Sequence, residues 1–224
     1  MTIHYIGDST VQHNSIHTYP QTGMSQALGL YLRTDVQIIS YAKNGRSTKS
    51  FLDEGRFVPV REAMQPGDFL FVQFGHNDEK DDPLRHTDPF GSFQQNLRLF
   101  VAAAREKGAY PVLLTPIARR LFDEQGAFRP GSHGQYPGAV LQVAREENVA
   151  AIDLTTMSEQ YLAQLGDAPS KPLFVWPKDN THLKYEGAVV MCGFLAKGLE
   201  ALGGKYAQLL ARPEDADAQA KNGL

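Results

Sequence analysis

The chain has 224 residues, 42% of them hydrophobic and 21% charged, the balance of a water-soluble globular protein that can hide well over half of its unfolded surface in a core. Its longest apolar runs, residues 69–74 and 189–195, are far shorter than the ~20 residues of a membrane-spanning helix, which argues against a membrane protein. A formal net charge of −3 leaves no general basic footprint, which argues against nucleic acid as a partner.

At the N-terminus, Met1 to Tyr5 run into a Gly-Asp-Ser turn without a basic segment, an apolar run or a small-residue cleavage site, so a cytoplasmic protein is expected. Short β-type runs are predicted at 3–6, 36–41, 69–74, 112–115 and 150–153. The first three end in polar blocks: Gly7-Asp8-Ser9-Thr10, Ala42-Lys43-Asn44-Gly45-Arg46-Ser47 and Gly75-His76-Asn77-Asp78. Residues 75–89 and 116–137 are polar and rich in Gly and Pro, and read as long loops of the kind that carry function. Helices are predicted where apolar residues recur at helical spacing. Phe93, Leu97, Phe100, Val101 and Ala104 form such a stripe, widened by Leu99 and Ala103. Residues 138–148, 155–165 and 185–202 behave alike, the last closing at Gly203-Gly204. Cys192, the single cysteine, falls in that last run and reads as a small core residue rather than a nucleophile or metal ligand.

Strands that alternate with helices, with no internal repeat or linker, predict one domain over residues 1–212. Its class is α/β, a three-layer sandwich on a five-stranded parallel sheet, with Phe69-Leu70-Phe71-Val72 as a central strand covered on both faces. Residues 213–224 lack apolar periodicity and are expected to form a disordered tail.

In an open parallel sheet, ligands bind beyond the carboxyl ends of the strands. The three blocks, together with Asp179-Asn180-Thr181-His182 ahead of the last helix, therefore carry the functional weight. They hold the parts of a serine hydrolase. A serine hydroxyl is a weak nucleophile until a base within hydrogen-bond reach takes its proton and a third group fixes the tautomer of that base. Ser9 is the candidate nucleophile, His182 the base and Asp179 the acid. The backbone N–H groups of Ser9 and Gly45 and the side-chain amide of Asn77 are candidate donors to an oxyanion. Each piece has a plainer explanation when taken alone. Ser9-Thr10-Val11-Gln12 fits a helix-capping box, Asp179 or Thr181 could cap the last helix, Gly45 could be a turn glycine and Asn77-Asp78 an Asx turn. Four blocks at the same end of one sheet are harder to obtain from capping chemistry.

Gly7-Asp8-Ser9, Gly45, Gly75-x-Asn77-Asp78 and Asp179-x-x-His182 resemble, in order, the four signature blocks of the SGNH (GDSL-type) hydrolases, over about residues 3–202. That resemblance implies a flavodoxin-like sandwich, ester hydrolysis by Ser9, Asp179 and His182, an oxyanion hole of Ser9, Gly45 and Asn77, and no cofactor. Gly-x-Ser-x-Gly is absent, which separates the chain from the ordinary α/β-hydrolases. Longer runs are similar to rhamnogalacturonan acetylesterases, which remove acetyl groups from a pectin backbone. They are Asn44-Gly45-Arg46-Ser47 with Ser50-Phe51 and Glu54-Gly55-Arg56-Phe57, then Phe74 to Asp78, then Asp179-x-Thr181-His182-Leu183. This narrower likeness implies an acetylated oligosaccharide as the partner. Most secreted members of that group carry leaders, often with disulfides, and their absence here points to imported fragments rather than intact polymer.

Galacturonate carries a carboxylate, so cations are expected near the catalytic residues. Lys43, Arg46, Arg85, His86, Lys178 and Lys184 are the candidates, with Arg46 first, although a solvated surface or pairing with Asp78-Glu79 and Asp81-Asp82 is the plainer fate of any one of them. Tyr19, Phe90 and Trp176 could stack on sugar rings. His76 shapes the loop around Asn77 and is taken, with Arg46 and Trp176, as a candidate substrate contact. His13 and His17 stand four apart, but no His-Glu-x-x-His or cysteine cluster accompanies them, so no metal is expected. Two rival readings are a lipid esterase or thioesterase using the same residues, and a carbohydrate-binding module that keeps the fold without turnover.

Overall fold

The structure, a computed structural model, describes residues 1–212, and the tail expected over 213–224 lies outside them. Five strands, β1 (Thr2–Gly7), β2 (Gln37–Ser40), β3 (Phe69–Gln73), β4 (Tyr110–Leu114) and β5 (Ala150–Ile152), form one parallel sheet in the order β2-β1-β3-β4-β5. The helices are α1 (Met24–Ala27), α2 (Thr48–Asp53), α3 (Phe57–Ala63), α4 (Gln94–Glu106), α5 (Tyr136–Glu146), α6 (Leu154–Leu165), α7 (Asp167–Ser170), α8 (Tyr185–Leu202) and α9 (Gly204–Ala207). This is the expected three-layer α/β arrangement. One boundary differs for a simple reason: α5 starts at Tyr136 because Pro137, expected in the preceding loop, sits in the first helical turn, where its missing N–H would have had no partner.

The unbroken apolar run of β3 is explained by its two-sided burial. Phe69 and Phe71 pack with Met24, Leu28, Leu162, Met191 and Leu195, contributed by or next to α1, α6 and α8. Leu70 and Val72 pack on the opposite face with Phe51, Val60, Leu97, Phe100 and Val143 from α2, α3, α4 and α5. With a period of two, each strand residue feeds one of two cores, and each large side chain removed from water contributes ~1.5–3 kcal/mol. Cys192 belongs to the first core, donates to Met24 O at 3.1 Å and is pushed up in pKa by burial, which suits a packing residue and not a thiolate. No helix among the described residues is long and apolar enough to cross a membrane.

From β1 the chain moves to β2 on one side and then to β3 on the other, so the carboxyl ends of β1 and β3 lie side by side, Gly7 opposite Gln73. A crevice opens at such a switch point because the two connections leave in opposite directions. Ser9 follows β1 by two residues and Asn77 follows β3 by four, which delivers both to this crevice.

Candidate active site

The turn after β1 is tight. A Cβ on Gly7 would lie 2.6 Å from Gln73 O and 2.8 Å from Val11 Cγ2, so only glycine lets β3 and the turn approach this closely. Asp8 is fully buried, and its Oδ1 accepts from the Thr10 N–H at 2.9 Å and the Thr10 hydroxyl at 2.8 Å. Val11 and Gln12 N–H donate to Asp8 O, but the chain does not continue as a helix. The capping-box explanation of Ser9 therefore fails: the Val11 and Gln12 amides that a Ser9 cap would serve donate to Asp8 O instead, while the Asp8 side chain holds the Thr10 amide. Ser9 Oγ lies 2.9 Å from His182 Nε2.

Behind His182, Nδ1 is 3.0 Å from Asp179 Oδ2, while Asp179 Oδ1 accepts from the N–H groups of Thr181 (2.9 Å) and His182 (2.7 Å). Helix α8 begins only at Tyr185, so neither Asp179 nor Thr181 caps it. Burial works against the charge on Asp179, but the His182 and Thr181 amides and the His182 ring outweigh it and hold the carboxyl below its ordinary range. An ionised carboxylate only accepts, so Nδ1 donates to it and Nε2 presents its lone pair to the Ser9 hydroxyl.

Ser9, Gly45 and Asn77 line one cleft of about 400 Å³ together with Asp179 and His182. The backbone N–H groups of Ser9 and Gly45 have no acceptor among the described residues. Asn77 Nδ2 gives one hydrogen to Arg46 O at 3.1 Å and keeps a second. Gly45 has φ +78°, the left-handed region that glycine enters without strain, and a Cβ there would meet nothing within 4 Å. The blocks are tied to one another. Gln21 Nε2 donates to Ser9 O (3.2 Å) and Asn44 Oδ1 (3.3 Å). Asp78, fully buried, is not an Asx turn. Its Oδ1 accepts from the Thr48 N–H (2.9 Å), the Thr48 hydroxyl (2.5 Å) and the Thr87 hydroxyl (3.1 Å), which joins the third block to α2.

Residues 5–189 match the GDSL-like Lipase/Acylhydrolase family. The chain belongs to this family. It is 40% identical over 209 residues to a rhamnogalacturonan acetylesterase of Bacillus subtilis (strain 168), with 88% of each chain covered. It is also 40% identical over 205 residues to a second protein of that organism named "Probable rhamnogalacturonan acetylesterase YesY", covering 90% of this chain and 93% of that one. The crystal structure of the Bacillus subtilis protein YxiM superposes with a TM-score of 0.80 at 26% identity, over 90% of this chain and 56% of the other.

Not every residue expected at the site of this acylhydrolase reaches it. Arg46 is turned away from the cleft: its Nε bonds Glu54, eight residues on, at 3.0 Å, and Nη1 bonds Asn44 O at 2.9 Å. Trp176 is 39% exposed and also outside the cleft lining, because its ring covers the buried Arg120 guanidinium at 4.7 Å and Lys171 at 5.3 Å. His76 does line the cleft, buried edge-on against His133 at 4.3 Å, and burial, with the charges of His133 and Arg119, holds its pKa well below the ordinary value.

The cations that do line the cleft are Lys80, Arg85 and Arg119, and of these only Arg85 was among the sequence candidates. Arg119 bridges the loop after β3 and the loop ahead of α8. It donates to Thr181 Oγ1 at 2.8 Å and to His76 O at 3.2 Å and is ion-paired with Glu79. Next to it, the Arg120 N–H donates to Asn180 O at 2.8 Å. The available signal was position: residues 116–120 follow β4 at the same end of the sheet as the other blocks.

Proposed function

We propose that the protein is a serine esterase that removes O-acetyl groups from pectin-derived rhamnogalacturonan oligosaccharides. The observation that carries this reading is the continuous relay Asp179–His182–Ser9, with links of 3.0 and 2.9 Å, at a cleft shared with three N–H donors that have no acceptor among the described residues. Ser9 Oγ attacks the acetyl carbonyl as His182 Nε2 takes its proton, and the Asp179 charge stabilises the imidazolium. The N–H groups of Ser9, Gly45 and Asn77 receive the oxyanion, each worth ~2.7–4 kcal/mol to the transition state. His182 then protonates the departing sugar hydroxyl, and water removes the acetyl group from Ser9 by the same route. No cofactor takes part. The positive end of α8 lies close to His182 and disfavours the imidazolium by ~0.3–1 kcal/mol, which the adjacent Asp179 carboxylate has to outweigh.

Two features support an acetylated sugar over a lipid. The cleft is lined by polar side chains and one glycine and by no aliphatic or aromatic hydrocarbon side chain of the kind that holds a long acyl chain, while sugar hydroxyls would find many partners. The 40% identity to a rhamnogalacturonan acetylesterase over almost the whole chain supports the pectin class. The test is acetate release from acetylated rhamnogalacturonan oligosaccharides, compared with acetylated xylan fragments and a medium-chain ester, for the wild type and Ser9→Ala. Preference for the rhamnogalacturonan substrate and loss of turnover in Ser9→Ala are expected. A preference for the medium-chain ester, or a Ser9→Ala variant that still turns over, would defeat the proposal.

A further inference from the structure

Away from the catalytic relay, the cleft is cationic. Lys80, Arg85 and Arg119 line it, and the only acid among its lining residues, Asp179, is committed to His182 and to the N–H groups of Thr181 and His182. This local excess runs against the net charge of −3 of the whole chain. The three cations are not equivalent. Arg119 is taken up by Glu79, Thr181 and the His76 carbonyl. Arg85 is partly engaged, with Nε 2.6 Å from Asp82 Oδ2 and Nη1 3.5 Å from Asn77 Oδ1. The Lys80 ammonium has no hydrogen-bond or ion-pair partner among the described residues. Of the two acids that flank it in sequence, Glu79 is occupied by Arg119 on one oxygen and by His133 Nδ1, at 3.0 Å, on the other, and Asp81 forms no ion pair with it among the described residues.

Partial burial, followed by the charges of Arg85 and Arg119, pushes the Lys80 pKa down, so the ammonium is held where its own protein disfavours it. An anion entering beside it removes that repulsion and gains a charge-assisted hydrogen bond in a partly desolvated cleft. A neutral sugar would do neither.

We propose that Lys80, with Arg85 beside it, forms a carboxylate subsite that selects uronate-bearing acetylated oligosaccharides. The proposal rests on the acetylesterase reading above and adds to it the group that the cleft recognises beyond the ester. Lysine suits this task, since its compact head on a flexible stem can follow a carboxylate carried by a sugar ring, while the Arg85 fork is partly fixed by Asp82.

The test compares two substrates, acetylated rhamnogalacturonan oligosaccharides and the same oligosaccharides with their uronate carboxyls reduced to alcohols. The readout is the ratio of kcat/KM for the charged over the neutral form. The wild-type ratio is expected to be about ten or more, to fall towards one in Lys80→Ala and to recover largely in Lys80→Arg. A second arm does not depend on the ester substrate: deacetylated, uronate-bearing oligosaccharide is expected to inhibit p-nitrophenyl acetate hydrolysis competitively, and Lys80→Ala to weaken that inhibition about tenfold. Acetate at the same concentration is the control for a general anion effect. A wild-type ratio near one, a ratio unchanged by Lys80→Ala, or inhibition that acetate reproduces would overturn the subsite. If no acetate is released from either oligosaccharide but the Lys80-dependent inhibition persists, the subsite stands and the assigned ester substrate falls.

Discussion

Replacing Asp78 by asparagine tests the cost of a charge buried in the loop after β3, where it is bonded to Thr48 and Thr87. Oδ1 takes all three hydrogen bonds of the carboxyl, and Oδ2 has no partner. Burial, reinforced by the charge of Asp8, outweighs the bonds from Thr48 and Thr87, so the group titrates at about 7 instead of 3.8. Between these values the folded chain holds a proton that the unfolded chain has released. Stability therefore falls as pH rises from about 4 to about 7 and levels off above, by roughly 4 kcal/mol for a shift of about three units. The amide of Asp78→Asn keeps an oxygen for the three donors and has nothing to titrate. Relative to wild type, the variant is expected to gain roughly 4 kcal/mol between pH 4 and pH 8, on top of any pH-independent offset. Asp8 is buried beside it and also raised in pKa by burial, so the slope reports the two carboxyls as a coupled pair. Urea unfolding at pH steps, followed by the fluorescence of Trp176, measures the difference. A difference that stays flat to within about 1 kcal/mol over this range refutes the reasoning.

Asp179→Asn keeps an acceptor for the Thr181 and His182 amides, so folding should be nearly intact while kcat on p-nitrophenyl acetate drops on the order of 10⁴-fold; turnover near wild type would remove Asp179 from the relay. In Arg119→Ala, the loop of His182 loses its tie to the loop of Asn77, and kcat is expected to fall by about 10² with a smaller change in KM. Arg119→Lys should not restore it, because one ammonium cannot serve three acceptors held in a fork, and full recovery would count against the bridging role. Phe100→Ala empties the centre of the aromatic group of Phe51, Phe57 and Phe74 and should cost about 3–5 kcal/mol in urea unfolding while leaving kcat per folded molecule unchanged. A loss below 1 kcal/mol would show that this core can collapse around the gap.

Much of the fold was legible because parallel strands buried on both faces write continuous apolar runs, and the longer helices write stripes. The failures have local causes. Helices α2 and α3 span only six and seven residues, too short for a periodic signal, although Ser47 and Ser50 form a reciprocal capping box that announces α2. The similar pattern at Ser9 misleads because capping depends on who takes the amide at the turn. At Ser47 the box closes on itself, whereas at Ser9 the Val11 and Gln12 N–H groups go to the Asp8 carbonyl and the serine hydroxyl meets His182.

Asp179 and His182 are local partners, three residues apart, and Ser9 and Asn77 follow strands whose ends the topology brings together. Spacing and strand order therefore sufficed to locate them. The cations obey another rule. Arg46 adjoins Gly45 in sequence, yet Glu54 on the far side of α2 captures it, while Lys80 and Arg119 reach the cleft from the loops after β3 and β4. Where a long charged side chain points is decided by the carboxylate that competes for it, and such partners can lie forty or more residues away, as Glu79 does from Arg119 and Glu146 from Arg98. That competition also separates the roles of the cleft cations. Arg119, engaged by three protein acceptors, ties the loop ahead of α8 to the loop after β3, and Lys80, which no carboxylate pairs with among the described residues, is the cation proposed to meet the charge of a substrate.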